Sequence, residues 1–149
     1  MTATPFELRR DPYWITADRD RLDIDSVHAL LRTTHWAREM PRSVLEIAMA
    51  NSLCFGLFEN NELIGFARLI TDYCTYAYMT DVVVAEAKRG HGLGKWFMEV
   101  ALNEHPQMKG LRRIALLTLD AQWLYEPLGF VANNGGRFTY MERVPTTAY

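Results

Sequence analysis

No stretch of this chain is apolar for anything near the roughly 20 residues that a membrane-spanning helix requires. The opening segment, Met1 to Arg10, holds no apolar core of the kind that begins a secreted precursor. The expectation is a soluble, cytoplasmic protein with no membrane partner. Cysteine is scarce: Cys54 and Cys74 are the only two, too few for the disulfide framework of small secreted domains. Both stand in apolar, strand-like stretches, where a buried reduced thiol is the ordinary outcome. Charge of one sign is lacking too. The 16 Lys+Arg against 18 Asp+Glu leave a formal net charge of −2. A general nucleic-acid binder carries a basic surplus to pair with phosphates, so nucleic acid is not expected as a partner, though a local basic patch remains compatible with the balance. No metal-ligand spacing occurs, so no metal is expected. No Cys-His-Asn or Ser-His-Asp arrangement stands out for covalent catalysis.

What the chain has is apolar residue, 49% of 149 positions, enough for one domain with a substantial core. Tyr13-Trp14-Ile15-Thr16 reads as a first strand. Asp25 or Ser26 can cap a helix through Val27, Leu30 and Leu31. Pro41 suits the first turn of a second helix, with Val44, Ile47, Ala48 and Asn51 on one face. Leu53 to Phe58, Leu63 to Ile70 and Thr75 to Val84 read as three strands joined by polar turns. Gly65 marks a bulge or a close approach. The period then changes. Leu93, Trp96, Phe97, Val100, Ala101 and Glu104 recur at helical spacing, and His105-Pro106 ends that helix. Arg113 to Thr118 is a strand whose unbroken apolar centre suggests burial on both faces. Asp120 can cap a short helix through Leu124, Tyr125 and Leu128, closed by Gly129. Phe130-Val131 and Thr139 to Val144 read as last strands around the turn Asn133 to Gly136. The order β-α-α-β-β-β-α-β-α-β-β implies a mixed α/β (α+β) fold, one domain over 1–149, with about seven strands and helices on both faces.

The most informative stretch is Val82-Val83-Val84-Ala85-Glu86-Ala87-Lys88-Arg89-Gly90-His91-Gly92-Leu93-Gly94-Lys95. A β-branched strand ends, a short basic connection follows, and three alternating glycines open an amphipathic helix. Glycines let backbone N–H groups approach a ligand with no Cβ in the way. A helix start adds unpaired N–H donors and partial positive charge. Together they make an anion site suited to a pyrophosphate, with Lys88, Arg89, His91 and Lys95 adding nearby charge. It is not a Walker A loop, because Gly94-Lys95 is followed by Trp96 rather than Ser or Thr. It is not a dinucleotide fingerprint either, because the glycines run G-x-G-x-G rather than G-x-G-x-x-G. Taken alone, the stretch is also compatible with a plain strand-to-helix turn.

Arg89-Gly90-His91-Gly92-Leu93-Gly94 resembles the R/Q-x-x-G-x-G/A signature of the GNAT superfamily of N-acetyltransferases. Downstream, Tyr125-Glu126-Pro127-Leu128-Gly129-Phe130 resembles that family's second signature, Y-x-x-x-G-F, in the family's order and spacing. The likeness covers roughly the last two thirds of the chain and extends to the element order before it. It implies a mostly antiparallel GNAT sheet and an acyltransferase that uses acetyl-CoA. It also implies that Arg89, Gly90, His91, Gly92, Leu93 and Gly94, with Lys95, hold the pyrophosphate. One departure stands out. Many family members carry an Asn about two turns before the tyrosine, where this chain has Thr118 to Leu124 without one. Asp120 either takes part of that role or only caps the helix. Pro127 removes a helical hydrogen bond, so this helix should be short or distorted.

The resemblance implies direct attack of a neutral amine on the thioester. A lysine-like amine has a pKa of about 10.4, so only roughly one in 2,500 is neutral at pH 7; a base or a pKa-lowering site is needed. Asp81 is the candidate. It precedes Val82-Val83-Val84 and by strict alternation shares a face with Met79 and Val83. A carboxylate on so apolar a strand needs a partner or a purpose: it is either a structural acid or the base, and a water relay often replaces a direct base in the family. The main chain of Val82, Val83 and Val84 would receive the pantetheine and the oxyanion. Tyr125 would serve the leaving thiolate. The family's acceptor site draws here on His35, Trp36, Asp72, Tyr73, Tyr76, Tyr78 and Trp123. Of these, Trp36, Asp72, Tyr73 and Tyr78 are the main candidates, because aromatics with an acid can hold an amine. The acceptor is a small-molecule amine or a peptide or protein amine, and the resemblance leaves room for a homodimer. Two rivals remain: a CoA-binding sensor or interaction module of the same fold without turnover, and an unrelated phosphate-binding interaction domain.

Overall fold

The computed structural model describes residues 5–133, 136 and 138–145. The aromatic and β-branched runs form strands: β1 (Glu7–Arg10), β2 (Tyr13–Thr16), β3 (Leu53–Glu59), β4 (Glu62–Thr71), β5 (Tyr76–Val84) and β6 (Arg113–Leu116). They make one sheet in the order β1-β2-β3-β4-β5-β6. Every pairing is antiparallel except β5 with β6, which is parallel. Between β3 and β4 the chain turns at Asn60 with φ 52, a conformation that asparagine tolerates better than most residues.

Two strand expectations differ from what is seen. The sequence Glu7-Leu8-Arg9-Arg10 shows no strand pattern because it lies on the sheet edge, where charge discourages further pairing; main-chain pairing of Glu7 with Thr16 through Arg10 with Tyr13 makes it β1. The strands expected at Phe130-Val131 and Thr139 to Val144 do not form among the described residues. A β-prone run becomes a strand only beside a partner, so the sheet has six strands rather than about seven. Of the turn expected at Asn133 to Gly136, Asn134 and Gly135 lie outside the described residues. β6 is only half-buried and Leu117 beyond it is exposed, because β6 is the outer strand of the sheet described here rather than a central one.

Two helices precede β3. The first, α1 (Ile24–Leu31), is capped by Asp23, which accepts the Ser26 N–H at 2.9 Å, so Asp25 and Ser26 fall inside the first turn instead of capping it. Pro41 sits just ahead of α2 (Arg42–Ala50) rather than in its first turn. The buried stripe of α2 is Leu45 and Met49, four residues apart; Ile47 and Asn51, expected on that face, are exposed. Both helices pack on one sheet face, where Trp14, Val27, Leu45, Cys54, Phe66 and Val83 share a core. Side chains alternate across a strand, so Phe55, next to Cys54, points to the other face and meets His105 edge-on at 5.3 Å. His105 follows α3 (Leu93–Glu99) and the wide π-helical turn Val100–Glu104 that continues it. Helices therefore cover both faces. The expected apolar face of α3 is buried at Leu93, Trp96, Phe97, Val100 and Ala101, each large side chain contributing about 1.5–3 kcal/mol.

Two irregularities shape the sheet centre. Between β3 and β4 the register shifts at Leu57/Phe58, and a Cβ added to Gly65 would stand 3.0 Å from the Leu57 Cβ and 3.2 Å from the Val83 oxygen, so Gly65 marks the close approach its sequence position suggested. Between β4 and β5, Phe66 faces Val83 while Arg68 faces Thr80. Ala67 alone thus stands opposite Asp81 and Val82, a β-bulge, with Asp81 at φ 54. The bulge breaks strict alternation. Met79, paired with Leu69, lies on the α3 face, whereas Asp81 and Val83 lie on the α1–α2 face.

The chain divides into two compact units, Met1–Leu117 and Thr118–Tyr149. In the second, α4 (Gln122–Tyr125) passes at once into a 3₁₀ turn, Glu126–Leu128, at Pro127, and Gly129 closes it at φ 91. Asp120 does not cap α4. No side chain caps its N-terminus, and the Ala121 N–H donates to Thr118 Oγ1 at 3.0 Å. Of the two thiols, Cys54 is buried, which pushes its pKa up to about 11, but Cys74 is exposed in the β4–β5 turn rather than buried.

The buried His105 ring packs against Phe6 at 4.9 Å and Phe55 at 5.3 Å, and its Nδ1 accepts the Gln107 N–H at 3.2 Å. Desolvation lowers its pKa below the ordinary 6.5, so the unfolded chain takes up a proton that the folded chain resists. This contribution is fully present above about pH 6.5 and is lost as pH falls toward the folded value. Melting curves from pH 7.5 to pH 5 should show a steeper loss for the parent than for His105→Asn, which keeps an acceptor but does not titrate.

Candidate functional site

β5 is nine residues long, yet only Tyr76, Ala77, Tyr78 and Met79 pair with β6, through Arg113 to Leu116. From Thr80 to Val84 no strand among the described residues pairs with that edge. The main chain there is open on the side away from β4, beginning at the bulge. Val82 and Val84 are half-buried and Val83 is buried.

The glycine loop follows directly. A single 3₁₀ turn, Glu86–Lys88, leads to Gly90 at φ 83 and Gly92 at φ 75, and Gly92 is the residue before α3. Both φ values lie in the left-handed region that favours glycine. A Cβ built on Gly90 or Gly92 would find nothing within 4 Å, and one on Gly94 would stand 3.8 Å from Val84 Cγ2. The loop backbone is thus bare, a cradle that side chains would fill. Arg89, His91 and Lys95 are exposed around it. Arg89 Nε donates to the Val84 oxygen at 2.9 Å, tying the loop to the end of β5. Lys88 is ion-paired with Glu59, so its charge is already answered. The side chain of Leu93 is buried, leaving only its backbone to face a ligand. Bare N–H groups beside two cations are what an anionic diphosphate requires.

Asp81 is 5% exposed. Its Oδ2 accepts from Arg68 Nε at 2.9 Å and its Oδ1 from Trp36 Nε1 at 3.3 Å. A second nitrogen of Arg68 donates to Ser52 Oγ at 3.1 Å. The carboxylate is therefore a buried ion pair as well as a candidate base. Arg68 and Ser52 were not singled out from sequence. The signal was there: Arg68 is the only charged residue in the apolar run Leu63 to Ile70, and such a cation implies a buried anion nearby.

The acceptor candidates separate along β5. Trp36, half-exposed with His35 edge-on at 5.0 Å, is brought to Asp81. Tyr78 lies on the same sheet face as Thr80 and Arg68, two residues along. Asp72 and Tyr73 occupy the β4–β5 turn beyond Tyr76, so about 20 Å of strand separates them from Val82. Asp72 is heavily engaged there. Its carboxylate accepts from Cys74, Thr75 and Tyr76 N–H groups and from Thr75 Oγ1, bonds that hold it well below the usual carboxylate range. In the second unit, Tyr125 is buried, with its ring edge-on to Phe130 at 5.7 Å, and burial raises its pKa; Trp123 is exposed. Among the described residues, no three His, Cys, Asp or Glu side chains group as metal ligands, and no helix is long and apolar enough to cross a membrane.

The sequence profile of the acetyltransferase (GNAT) family matches residues 22–130. The chain belongs to the GNAT family. A Gibberella zeae protein named as an acetyltransferase is 32% identical over 81% of this chain and 80% of its own length. A Xanthomonas campestris pv. campestris structure assigned to the GNAT family superposes with a TM-score of 0.82 at 37% identity, over 91% of this chain and 95% of that one. A Clostridium acetobutylicum protein described as an acetyltransferase, solved with acetyl-CoA, shares the fold with a TM-score of 0.62 at 16% identity, over 87% and 94% of the two chains. The GNAT relationship makes this protein an acyltransferase with an acceptor substrate, and the profile match includes both the glycine loop and Tyr125.

The two outer contexts of the glycine loop predict opposite responses. Gly92→Ala places a Cβ on a left-handed residue and should lower the stability of the ligand-free protein by about 1 kcal/mol. Gly94→Ala enters an ordinary helical position with only a 3.8 Å contact, and should leave that stability unchanged or raise it by up to about 1 kcal/mol. Urea melts of the two variants check this.

Proposed function

We propose that this GNAT acyltransferase takes an acetyl group from acetyl-CoA and passes it to a primary amine by direct attack on the thioester, with residues 1–149 working as one catalytic domain. The observation that carries the reading is the sequence of an open β5 edge, Thr80 to Val84, running straight into a bare glycine loop flanked by Arg89 and Lys95. Acetyl-CoA supplies an activated acyl group and a diphosphate. Gly90, His91, Gly92, Leu93 and Gly94 would receive the diphosphate through their main chain, with Arg89 and Lys95 balancing its charge. Along Val82, Val83 and Val84, the alternate main-chain N–H groups that face away from β4, those of Val82 and Val84, would be offered to the acyl oxygen. The family profile spans both compact units, which supports treating them as one domain.

Asp81 takes the amine proton through water in this reading, because its carboxylate is buried and both oxygens already accept a hydrogen bond. Tyr125 donates to the leaving thiolate. A phenol near 10 is a weaker acid than a thiol near 8.5, by about 2 kcal/mol, and burial raises Tyr125 further. Its hydroxyl therefore acts by holding a hydrogen bond on the sulfur more than by giving up its proton outright. Trp36 and Tyr78 are the proposed inner contacts of the acceptor amine. Asp72 and Tyr73 would serve only an acceptor that extends along β5 to the turn. Small-molecule amines and peptide or protein amines both fit this description.

Acetyl-CoA and CoA should raise the melting temperature, because a ligand at 100 times its Kd stabilises the folded state by about 2.7 kcal/mol. Pantetheine without the diphosphate should do far less; equal shifts would remove the loop from the reading. A panel of amines, read by thiol release from acetyl-CoA, tests turnover, and donor binding without release for every amine class would leave a binding module instead. Tyr125→Phe keeps the ring and removes the hydroxyl. It should lower the single-turnover rate by about 10²–10⁴-fold while donor affinity and melting temperature stay near parental. A parental rate would make Tyr125 a packing residue.

A further inference from the structure

The acid proposed to handle the proton and the main-chain slot proposed for the acyl group meet at one irregularity, the bulge at Asp81 and Val82. A bulge has to be held. Asp81 is a non-glycine residue at φ 54, a conformation that costs a side-chain-bearing residue of the order of 1 kcal/mol. Without the extra residue, strand alternation would put position 81 on the face shared by Met79 and Leu69. That face is apolar and lies under α3, where a carboxylate would have no partner. With it, the carboxylate reaches the α1–α2 face, and there Arg68 meets it.

We infer that Arg68 is a positioning residue for acetyl transfer: its ion pair with Asp81 selects and braces the bulge that opens the β5 edge at Val82 to Val84. The geometry is specific. Arg68 stands opposite Thr80, next to the bulge, and reaches across it to Asp81 Oδ2 at 2.9 Å. Its other end is fixed to Ser52 Oγ, immediately before β3, at 3.1 Å. Trp36, from the α1–α2 connection, closes on Oδ1. The guanidinium thus ties β4 to β5 and to the residue before β3, and the carboxylate it holds ties in the α1–α2 connection. The Arg68 and Asp81 side chains are only 11% and 4% exposed, so water competes little for the pair. The Arg68 side chain bonds to Asp81 and Ser52 rather than to the glycine loop or to Val82 to Val84. It acts on them through the backbone conformation of Asp81 and Val82.

Lysine cannot replace it. An ammonium is a point donor without the planar fork that lets one guanidinium serve Asp81 and Ser52 at once. This inference rests on the proposed slot at Val82 to Val84, so the test separates the two. Amide signals of Val82, Val83 and Val84 are followed by NMR in the parent, Arg68→Lys, Arg68→Gln and Ser52→Ala, with acetyl-CoA titrated into each. Melting temperature and single-turnover rate are measured alongside. In the parent, these amides and those of Gly90, Gly92 and Gly94 should shift on binding. If only the glycine amides move, the proposed slot is wrong. If all move, Arg68→Lys should displace the Val82 to Val84 signals in the ligand-free protein and cut the turnover rate at least tenfold per folded molecule. Its acetyl-CoA Kd, set mainly by the loop, should stay within about threefold. Ser52→Ala, which keeps the ion pair and loses one anchor, should show the same pattern more weakly, and Arg68→Gln more strongly wherever it folds. Parental Val82 to Val84 signals and a parental rate per folded Arg68→Lys molecule, with only a lowered melting temperature, would overturn the inference and leave Arg68 as a stability contact.

Discussion

Two residues of β5 stand opposite one residue of β4, and much of this molecule's chemistry follows from that count. A sheet with unbroken alternation carries one kind of side chain on each face. Inserting one residue at the bulge turns the strand over, so that the part of β5 beside β6 and the part leading to the glycine loop present opposite phases to the same helices. The charged pair Arg68–Asp81 is what makes this turnover affordable in a buried sheet, since a buried acid and a buried base are costly apart and tolerable together. Gly65, pressed against Leu57 and the Val83 oxygen, lets β3, β4 and β5 stay close beside the irregularity.

Patterns carried by short-range chemistry were legible in the sequence. The strand-to-helix glycine loop, the apolar face of α3 and the shortened helix at Pro127 all follow from local rules, because left-handed φ, helical period and a missing N–H are properties of a few adjacent residues. The same holds for the two signatures that mark the family. What escaped was set by partners distant in sequence. β1 is charged and acquires its strand only from β2. The buried stripe of α2 is Leu45 and Met49 rather than the stripe through Ile47, because docking on Cys54 and the sheet decides the rotation of a helix that is apolar on more than one side. Asp23 won the cap of α1 over two neighbours of equal propensity.

The candidate site divides in the same way. Its loop was visible as a motif. Asp81 was visible as an oddity, a carboxylate in a valine-rich strand, but its phase was misjudged, since a bulge is a pairing property and strict alternation cannot reveal it. Arg68 was the counterpart oddity one strand earlier, and reading the two together would have exposed the ion pair. Asp72 illustrates the reverse. A lone acid among tyrosines looks available to a ligand, yet in the turn its oxygens are occupied by three backbone N–H groups and a hydroxyl. Turn chemistry of this kind is common for aspartate, and it competes directly with any intermolecular role.

The parallel pairing of β5 with β6 has a consequence for how the chain reaches its native state. Strands β3 to β5 are joined by short connections, so those hairpins form from contacts near in sequence. β6 can pair with β5 only after the segment from Ala85 to Arg112 has crossed over the sheet, a long closure whose entropy must be met before its contacts form. That crossover is the segment that contains the glycine loop. The hairpins can therefore assemble ahead of the crossover, and a ligand held in the loop would stabilise a segment whose closure comes after theirs.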